Sequence, residues 1–208
     1  MVTKPHPEPV VHASLGLQSL CERLQNAAGC DILELGPVRS GNVQFWSRFS
    51  PYIYIADLRS SLPLPVPVPP PEEDSEFVEP DWDQLLALPE GRGYNVVLAW
   101  DLLNYMELPA VSSLVKYLKK FCQPGAILFT LIFDQKQMPD EITIYGIADE
   151  SHLRYEYATS DMRACPRHQP RALGIVMSQF RTADSFRLRN GVVEYLFEYE
   201  GTHTASAV

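Results

Sequence analysis

Residues 31–57, DILELGPVRSGNVQFWSRFSPYIYIAD, constrain the fold more than any other stretch of the chain. Ile32 to Leu35 is a short apolar run carrying Glu34, and Gly36 follows at once with a loop that closes near Gly41. Val43, Trp46 and Phe49 then recur at helical spacing, and a second apolar run from Tyr52 to Ala56 ends in Asp57. The pattern is strand, tight turn, helix, strand, acid. In a doubly wound sheet such a turn reaches the crevice beyond the strand ends, where backbone N–H groups can meet a ligand. The acid closing the second strand is then placed to accept hydrogen bonds from ribose hydroxyls. The stretch reads as a nucleoside-binding arrangement or as an ordinary core strand and turn.

The turn is not the GxGxxG of a dinucleotide site. Val38 stands between Gly36 and Gly41, and its side chain hinders backbone approach to a pyrophosphate. NAD and FAD are therefore disfavoured. A chain of 208 residues with 46% hydrophobic content suits one domain with a full core. Its formal charge of −9 repels a polyanionic partner, which argues against nucleic acid. Cys21, Cys30, Cys122 and Cys165 form no CxxC pair and no metal-ligand spacing, so buried or idle thiols and no metal are expected. No apolar stretch approaches a membrane span, and the N-terminus lacks a signal-peptide pattern, so a cytoplasmic protein without membrane contact is expected.

Along the chain, residues 1–13 read as a flexible arm and 14–208 as a single domain. Leu15, Leu17, Leu20, Leu24 and Ala28 form a helical stripe that Gly29 ends. Residues 62–76 are proline-rich, where neither helix nor inner strand can run. This tract reads as a stiff surface connection or as a docking segment for a protein partner. Phe77 and Val78 suggest a brief third strand, and Asp81 an N-cap for a helix beginning at Trp82. YNVVLAWD, residues 94–101, has the composition of a strand buried on both faces. A helix opened by Pro109 and a strand over 126–133 follow, the sheet being parallel to that point. Residues 134–170 break the alternation and read as a lid-like insertion with extended pieces near 141–147 and 152–158. A helix over 171–180 comes next. Asn190-Gly191 between two alternating runs predicts an antiparallel hairpin closed by a two-residue type I′ turn.

With these pieces in place, the chain resembles the class I S-adenosylmethionine-dependent methyltransferases over about residues 14–200. ILELGPVRSG looks like that family's first motif, and YIYIADL like its second strand. FVEPDW is similar to its adenine-contacting segment, VVLAWDLLNYM to its fourth-strand motif, and QPGAILFTLIF with the terminal hairpin to its closing strands. The resemblance implies an α/β three-layer sandwich around a mostly parallel seven-stranded sheet ending in an antiparallel hairpin. It also implies S-adenosylmethionine as cofactor, held by Glu34, Gly36, Gly41, Asp57, Leu58, Asp81, Trp82 and Trp100. Asp101 and His152 are the substrate-side candidates. The implied activity is methyl transfer to a small molecule or a protein side chain. The alternative is a binding or scaffold protein that keeps the fold without turnover, since Val38 replaces a glycine of the first motif. Asp101-Leu102-Leu103-Asn104-Tyr105 lacks the prolines of the amino-group signature, which argues against nucleobase and protein amide acceptors.

Overall fold

The computed structural model describes residues 8–27, 29–61 and 77–201. The proline-rich tract at 62–76 and residues 1–7 of the expected arm lie outside the described residues. In chain order the elements are β1 (Val10–Ala13), α1 (Leu15–Gln25), β2 (Asp31–Glu34), α2 (Ser40–Trp46), β3 (Tyr52–Ile55), α3 (Leu58–Ser61), α4 (Trp82–Leu86) and β4 (Tyr94–Trp100). There follow α5 (Leu108–Leu118), β5 (Cys122–Phe133), β6 (Gln137–Pro139), β7 (Ile144–Asp149), β8 (His152–Glu156), β9 (Met162–Ala164), α6 (Pro170–Val176), β10 (Phe180–Arg187) and β11 (Val192–Tyr199).

The central sheet is mixed and has six strands in the order β10-β11-β5-β4-β2-β3. β5, β4, β2 and β3 run parallel, and β11 and β10 are antiparallel. The α/β class expected from the sequence is present, while the seventh strand is absent among the described residues. Phe77 and Val78, read as a brief strand, are irregular. The two are exposed, Val78 at 84%, and Pro80 stands two residues on, so neither burial nor a donor ladder supports pairing. β4 and the last eight residues of β5 are almost wholly buried, as their unbroken apolar runs require. α1 lays Leu17, Leu20 and Leu24 into the same core. Each such burial stabilises by about 1.5–3 kcal/mol.

The start of α1 is fixed twice over. Ser14 caps it, its hydroxyl accepting from the Leu17 amide at 3.1 Å. The buried Glu194 of β11 accepts from the Ser14 hydroxyl at 2.5 Å and from the Gly16 amide at 2.7 Å. A side chain on Gly16 would meet Phe129 at 2.8 Å and Glu194 at 3.0 Å, so only glycine lets the helix approach the sheet so closely.

The insertion at 134–170 is built, not irregular. β7 and β8 form an antiparallel hairpin, and β1 adds to its edge, giving a three-stranded sheet in the order β1-β8-β7. Residues 10–13 are thus a strand, which corrects their assignment to a loose arm: their backbone groups pair with β8. β6 and β9 make a second small ladder beside it. The closing hairpin is present, with a different turn. Gly191 has φ +79° and Asn190 does not have positive φ, which excludes type I′. The Gly191 amide donates to Leu188 O at 3.3 Å and the Leu188 amide to Val192 O at 2.8 Å. This is the longer loop in which a turn is followed by a left-handed glycine. Among the described residues no helix is long and apolar enough to cross a membrane.

Candidate functional site

β2 and β4 are parallel neighbours, and their C-terminal ends bring Glu34 and Trp100 together. Glu34 is 4% exposed. One of its oxygens, Oε1, accepts from the Gly36 amide at 2.8 Å and from the Trp100 indole N–H. The other, Oε2, is buried without a partner among the described residues. Burial pushes the carboxyl up to about 8 against the two donors, and nearby Asp57 pushes in the same direction. Gly36 is required by this contact, because a Cβ there would lie 2.9 Å from both Glu34 Oε1 and Trp100 Cδ1.

Trp100 reaches Glu34 from a backbone that tryptophan rarely adopts, with φ +48°. Such left-handed conformations in bulky residues cost about 1–3 kcal/mol and persist where the surroundings over-determine them. Here the β4–β5 register shifts between Leu98 and Trp100, and Thr130 donates its hydroxyl to Trp100 O at 2.7 Å. The indole stacks on Tyr145 of β7, with centroids 5.4 Å apart and planes at 8°.

Asp101 follows, fully buried. Its Oδ2 accepts from the Thr143 amide at 3.1 Å, and Oδ1 has no hydrogen-bond partner among the described residues. Burial raises its carboxyl to about 7. Asn104 ties the turn after β4 to the neighbouring strand, donating to Leu131 O and accepting from the Phe133 amide, each at 2.8 Å.

The insertion covers these groups. Asn42 of α2 latches the hairpin, its amide donating to Tyr145 O at 2.9 Å and accepting from the Ile147 amide at 3.0 Å. Arg39 pairs with Glu156, and Arg59 with Glu141 at 3.2 Å. The crevice left between Gly36, Asn42, Arg59, Trp100, Thr143 and Tyr145 has a volume of about 10 Å³. That is room for about one water. Val38, the residue that sequence reasoning set against ligand entry, is 67% exposed and does not line the crevice. The space is taken by Trp100 and Tyr145.

The remaining candidates are distributed as follows. Asp57 stands after β3, near enough to raise Glu34, and holds the start of α3 through Ser60, whose hydroxyl donates to its Oδ2 at 2.8 Å. Leu58 is fully buried in the core, and its amide donates to Leu35 O at 3.1 Å. Gly41 lies inside α2 rather than at the end of a loop. Asp81 caps α4, accepting from the Gln84 amide at 3.1 Å, and the Trp82 indole donates to Ser113 of α5 at 2.7 Å. Neither lines the crevice beside Trp100. His152 sits at the tip of the β7–β8 hairpin with Nδ1 2.9 Å from Asp149, and it too is not part of the crevice. Among the described residues no three His, Cys, Asp or Glu side chains converge as metal ligands would.

Sequence reasoning missed Asn42, Thr143 and Tyr145. The only local signal was a polar residue on the inner side of α2 and an aromatic in the first extended piece of the insertion.

The sequence matches no protein-family model and none of the curated proteins compared with it. Solved structures do match. Magnesium protoporphyrin IX methyltransferase (ChlM) from Synechocystis PCC 6803, with bound SAM, is similar over 89% of this chain and 78% of its own, at 13% identity and a TM-score of 0.50. Streptomyces venezuelae DesVI is similar over 88% of this chain and 91% of its own, at 9% identity and a TM-score of 0.50. The Burkholderia thailandensis 1,6-didemethyltoxoflavin-N1-methyltransferase, with bound S-adenosylhomocysteine, covers 89% and 77% at 12% identity and a TM-score of 0.48. On this likeness the chain has the class I methyltransferase fold, with Glu34 ending β2 and Gly36 just beyond it, and Trp100 ending the parallel neighbour β4 with Asp101 just beyond it.

Proposed function

We propose that the protein transfers a methyl group from S-adenosylmethionine to a small molecule, from a crevice that is closed in the arrangement described. One observation carries the reading: Glu34, buried at the end of β2, has no donor to Oε2 among the described residues. An unpaired buried carboxylate oxygen is costly, and a cationic ligand group placed against it would remove that cost. Glu34 would accept from the ammonium of the cofactor's methionine end, and Asp57, released from Ser60, from the ribose hydroxyls. When bound, the cofactor supplies an activated methyl on sulfur. The chain's own part is to orient and to exclude water.

The carboxylates fit that ligand and the space does not. A nucleoside-sized ligand needs a cavity of roughly 300 Å³ or more. The crevice offers about 10 Å³, so Trp100 and Tyr145 must leave it before anything enters. The stacked pair favours a second reading: a protein that keeps this fold for binding or scaffolding, with its crevice filled by its own side chains.

Calorimetric titration with S-adenosylhomocysteine, read alongside tryptophan fluorescence, separates the two. Transfer predicts binding with a fluorescence change as Trp100 parts from Tyr145. Asp57→Ala should then weaken binding at least tenfold, while Tyr145→Ala should strengthen it. No heat with either the wild type or Tyr145→Ala rejects transfer and leaves the second reading.

A further inference from the structure

A carboxyl lies sealed where the β7–β8 hairpin meets the end of β4. Asp101, 0% exposed, accepts at Oδ2 from the amide of Thr143, the residue that leads into β7. Three polar atoms at this junction are buried without hydrogen-bond partners among the described residues: Asp101 Oδ1, Thr143 Oγ1 and the Tyr145 hydroxyl. Both hydroxyls stand beside the carboxyl outside good geometry. The titratable groups that face Asp101 are phenols: Tyr105 on its own turn, Tyr145 on β7, Tyr155 on β8 and Tyr157 just beyond it. Burial pushes all four upward, so they stay neutral while the carboxyl titrates. The cations at the rim are engaged elsewhere, Arg39 by Glu156 and Arg59 by Glu141 at 3.2 Å. Neutral, Asp101 has a proton to donate to one of the two hydroxyl oxygens while Oδ2 keeps the amide. Ionised, it is an acceptor only, a charge held away from water. The crevice beside Thr143 has room for about one water, so a hydration shell requires the hairpin to lift.

We infer that Asp101 is a proton-operated latch: protonated, it holds the β7–β8 hairpin down on the sheet, and ionised, it releases the hairpin and uncovers the crevice at Trp100. With the hairpin down, burial raises the carboxyl from 3.8 to about 7, and a lifted hairpin returns it toward its ordinary value. The closed form therefore binds the proton more tightly. Closure is favoured at low pH and lost as pH rises through about 7. Glu34 accepts from the Gly36 amide and the Trp100 indole, both on the sheet side, so its proton does not act on the hairpin directly. That the lifted hairpin admits S-adenosylmethionine rests on the transfer reading above, and the latch itself does not.

Hydrogen exchange of the full chain at about pH 5.5 and pH 8.5, corrected for the pH dependence of intrinsic exchange, tests it. The β7 amides should be less protected than those of β4 at both values. Their protection should fall about thirtyfold between the two, the linkage for a carboxyl moving between 3.8 and about 7. Asp101→Asn, isosteric and with an amide to donate, should remove this fall, while Glu34→Gln should keep it. Histidine titrates in the same range by default. His12 lies edge-on to Tyr155 at 4.7 Å, His152 sits at the hairpin tip, and His168 bonds Leu103 O at 2.8 Å. His12→Gln, His152→Gln and His168→Gln should each keep the fall. Equal β7 protection at both pH values, β7 protection no lower than that of β4, a fall that survives Asp101→Asn, or one that vanishes with Glu34→Gln or a histidine variant overturns the inference. Titration with S-adenosylhomocysteine at the same two pH values keeps the two ideas apart. A pH-dependent hairpin with no binding at either value retains the latch and rejects transfer, and binding to a chain whose hairpin ignores pH does the opposite.

Discussion

Among the described residues two glutamates are buried, and they are buried in different ways. Glu194, on the antiparallel side of the sheet, gives one oxygen to the Ser14 hydroxyl and the other to the Gly16 amide. Glu34, on the parallel side, accepts from both of its donors on a single oxygen, and the other has no partner among the described residues. Burial raises both carboxyls above the ordinary range. The difference lies in completeness. Glu194 is closed on itself and holds a helix end against the sheet, whereas Glu34 has unused capacity at the mouth of parallel strands, where ligands meet such sheets.

Titration should break the two apart with the largest effect. A carboxyl at about 8 in the folded chain against an ordinary value of 4.5 when unfolded favours the folded state while protonated. That contribution is present at low pH and is lost as pH rises from about 4.5 through 8, since the unfolded state gives up its proton first. Asp101, raised to about 7, acts in the same direction over a lower window. Stability measured by urea denaturation should therefore fall between pH 5 and pH 8, by about 3 kcal/mol from Glu34 on the linkage arithmetic. Glu34→Gln should flatten this slope and be more stable than the wild type at pH 8. An unchanged slope in that variant would show that Glu34 is ionised and paired.

The complementary variant, Glu194→Ala, should destabilise at every pH, by about 2–3 kcal/mol, because it strips an acceptor from two buried donors at the start of α1. Equilibrium denaturation reads it. Glu194→Ala and Glu34→Gln should thus differ in sign at pH 8, and a shared sign would erase the distinction between the two carboxylates.

Why the sequence disclosed one half of this and not the other follows from the range of the interactions. The runs at 94–100 and 126–133 announce buried strands because burial on both faces is written into each residue in turn. Asp81 is legible as a cap because its partner, Gln84, is three residues away. Glu34 could be singled out because a carboxylate in an apolar strand needs an account wherever it lies. The strands β1, β6 and β9 were not legible: three or four residues long, they exist only through distant partners. Tyr145 likewise looks like any aromatic in an extended piece until the hairpin is laid across the sheet and its ring falls on Trp100. The terminal turn shows an intermediate case. Asn190-Gly191 signalled a hairpin correctly, and the longer loop leaves positive φ at Gly191 alone where type I′ would need it at both.

Asn42 is where the two halves of the molecule can be uncoupled by the smallest change. Its amide joins α2 to β7 through both of its ends, one to Tyr145 O and one from the Ile147 amide, in a buried setting. Asn42→Ala leaves a carbonyl and an N–H of the hairpin without their partners and should cost about 2 kcal/mol of global stability. That is less than the loss of Glu194, and its local consequence is larger. The hairpin also holds the sheet through the Trp100–Tyr145 stack, the Thr143–Asp101 bond and the partly exposed Arg39–Glu156 pair, each weaker alone than the amide latch with them. Hydrogen exchange of the β7 amides should therefore accelerate in the variant while those of β4 and β5 keep their protection. If β4 and β5 accelerate equally, hairpin and sheet open as one cooperative unit. The crevice over Glu34 would then be core, and no partial opening could admit a ligand.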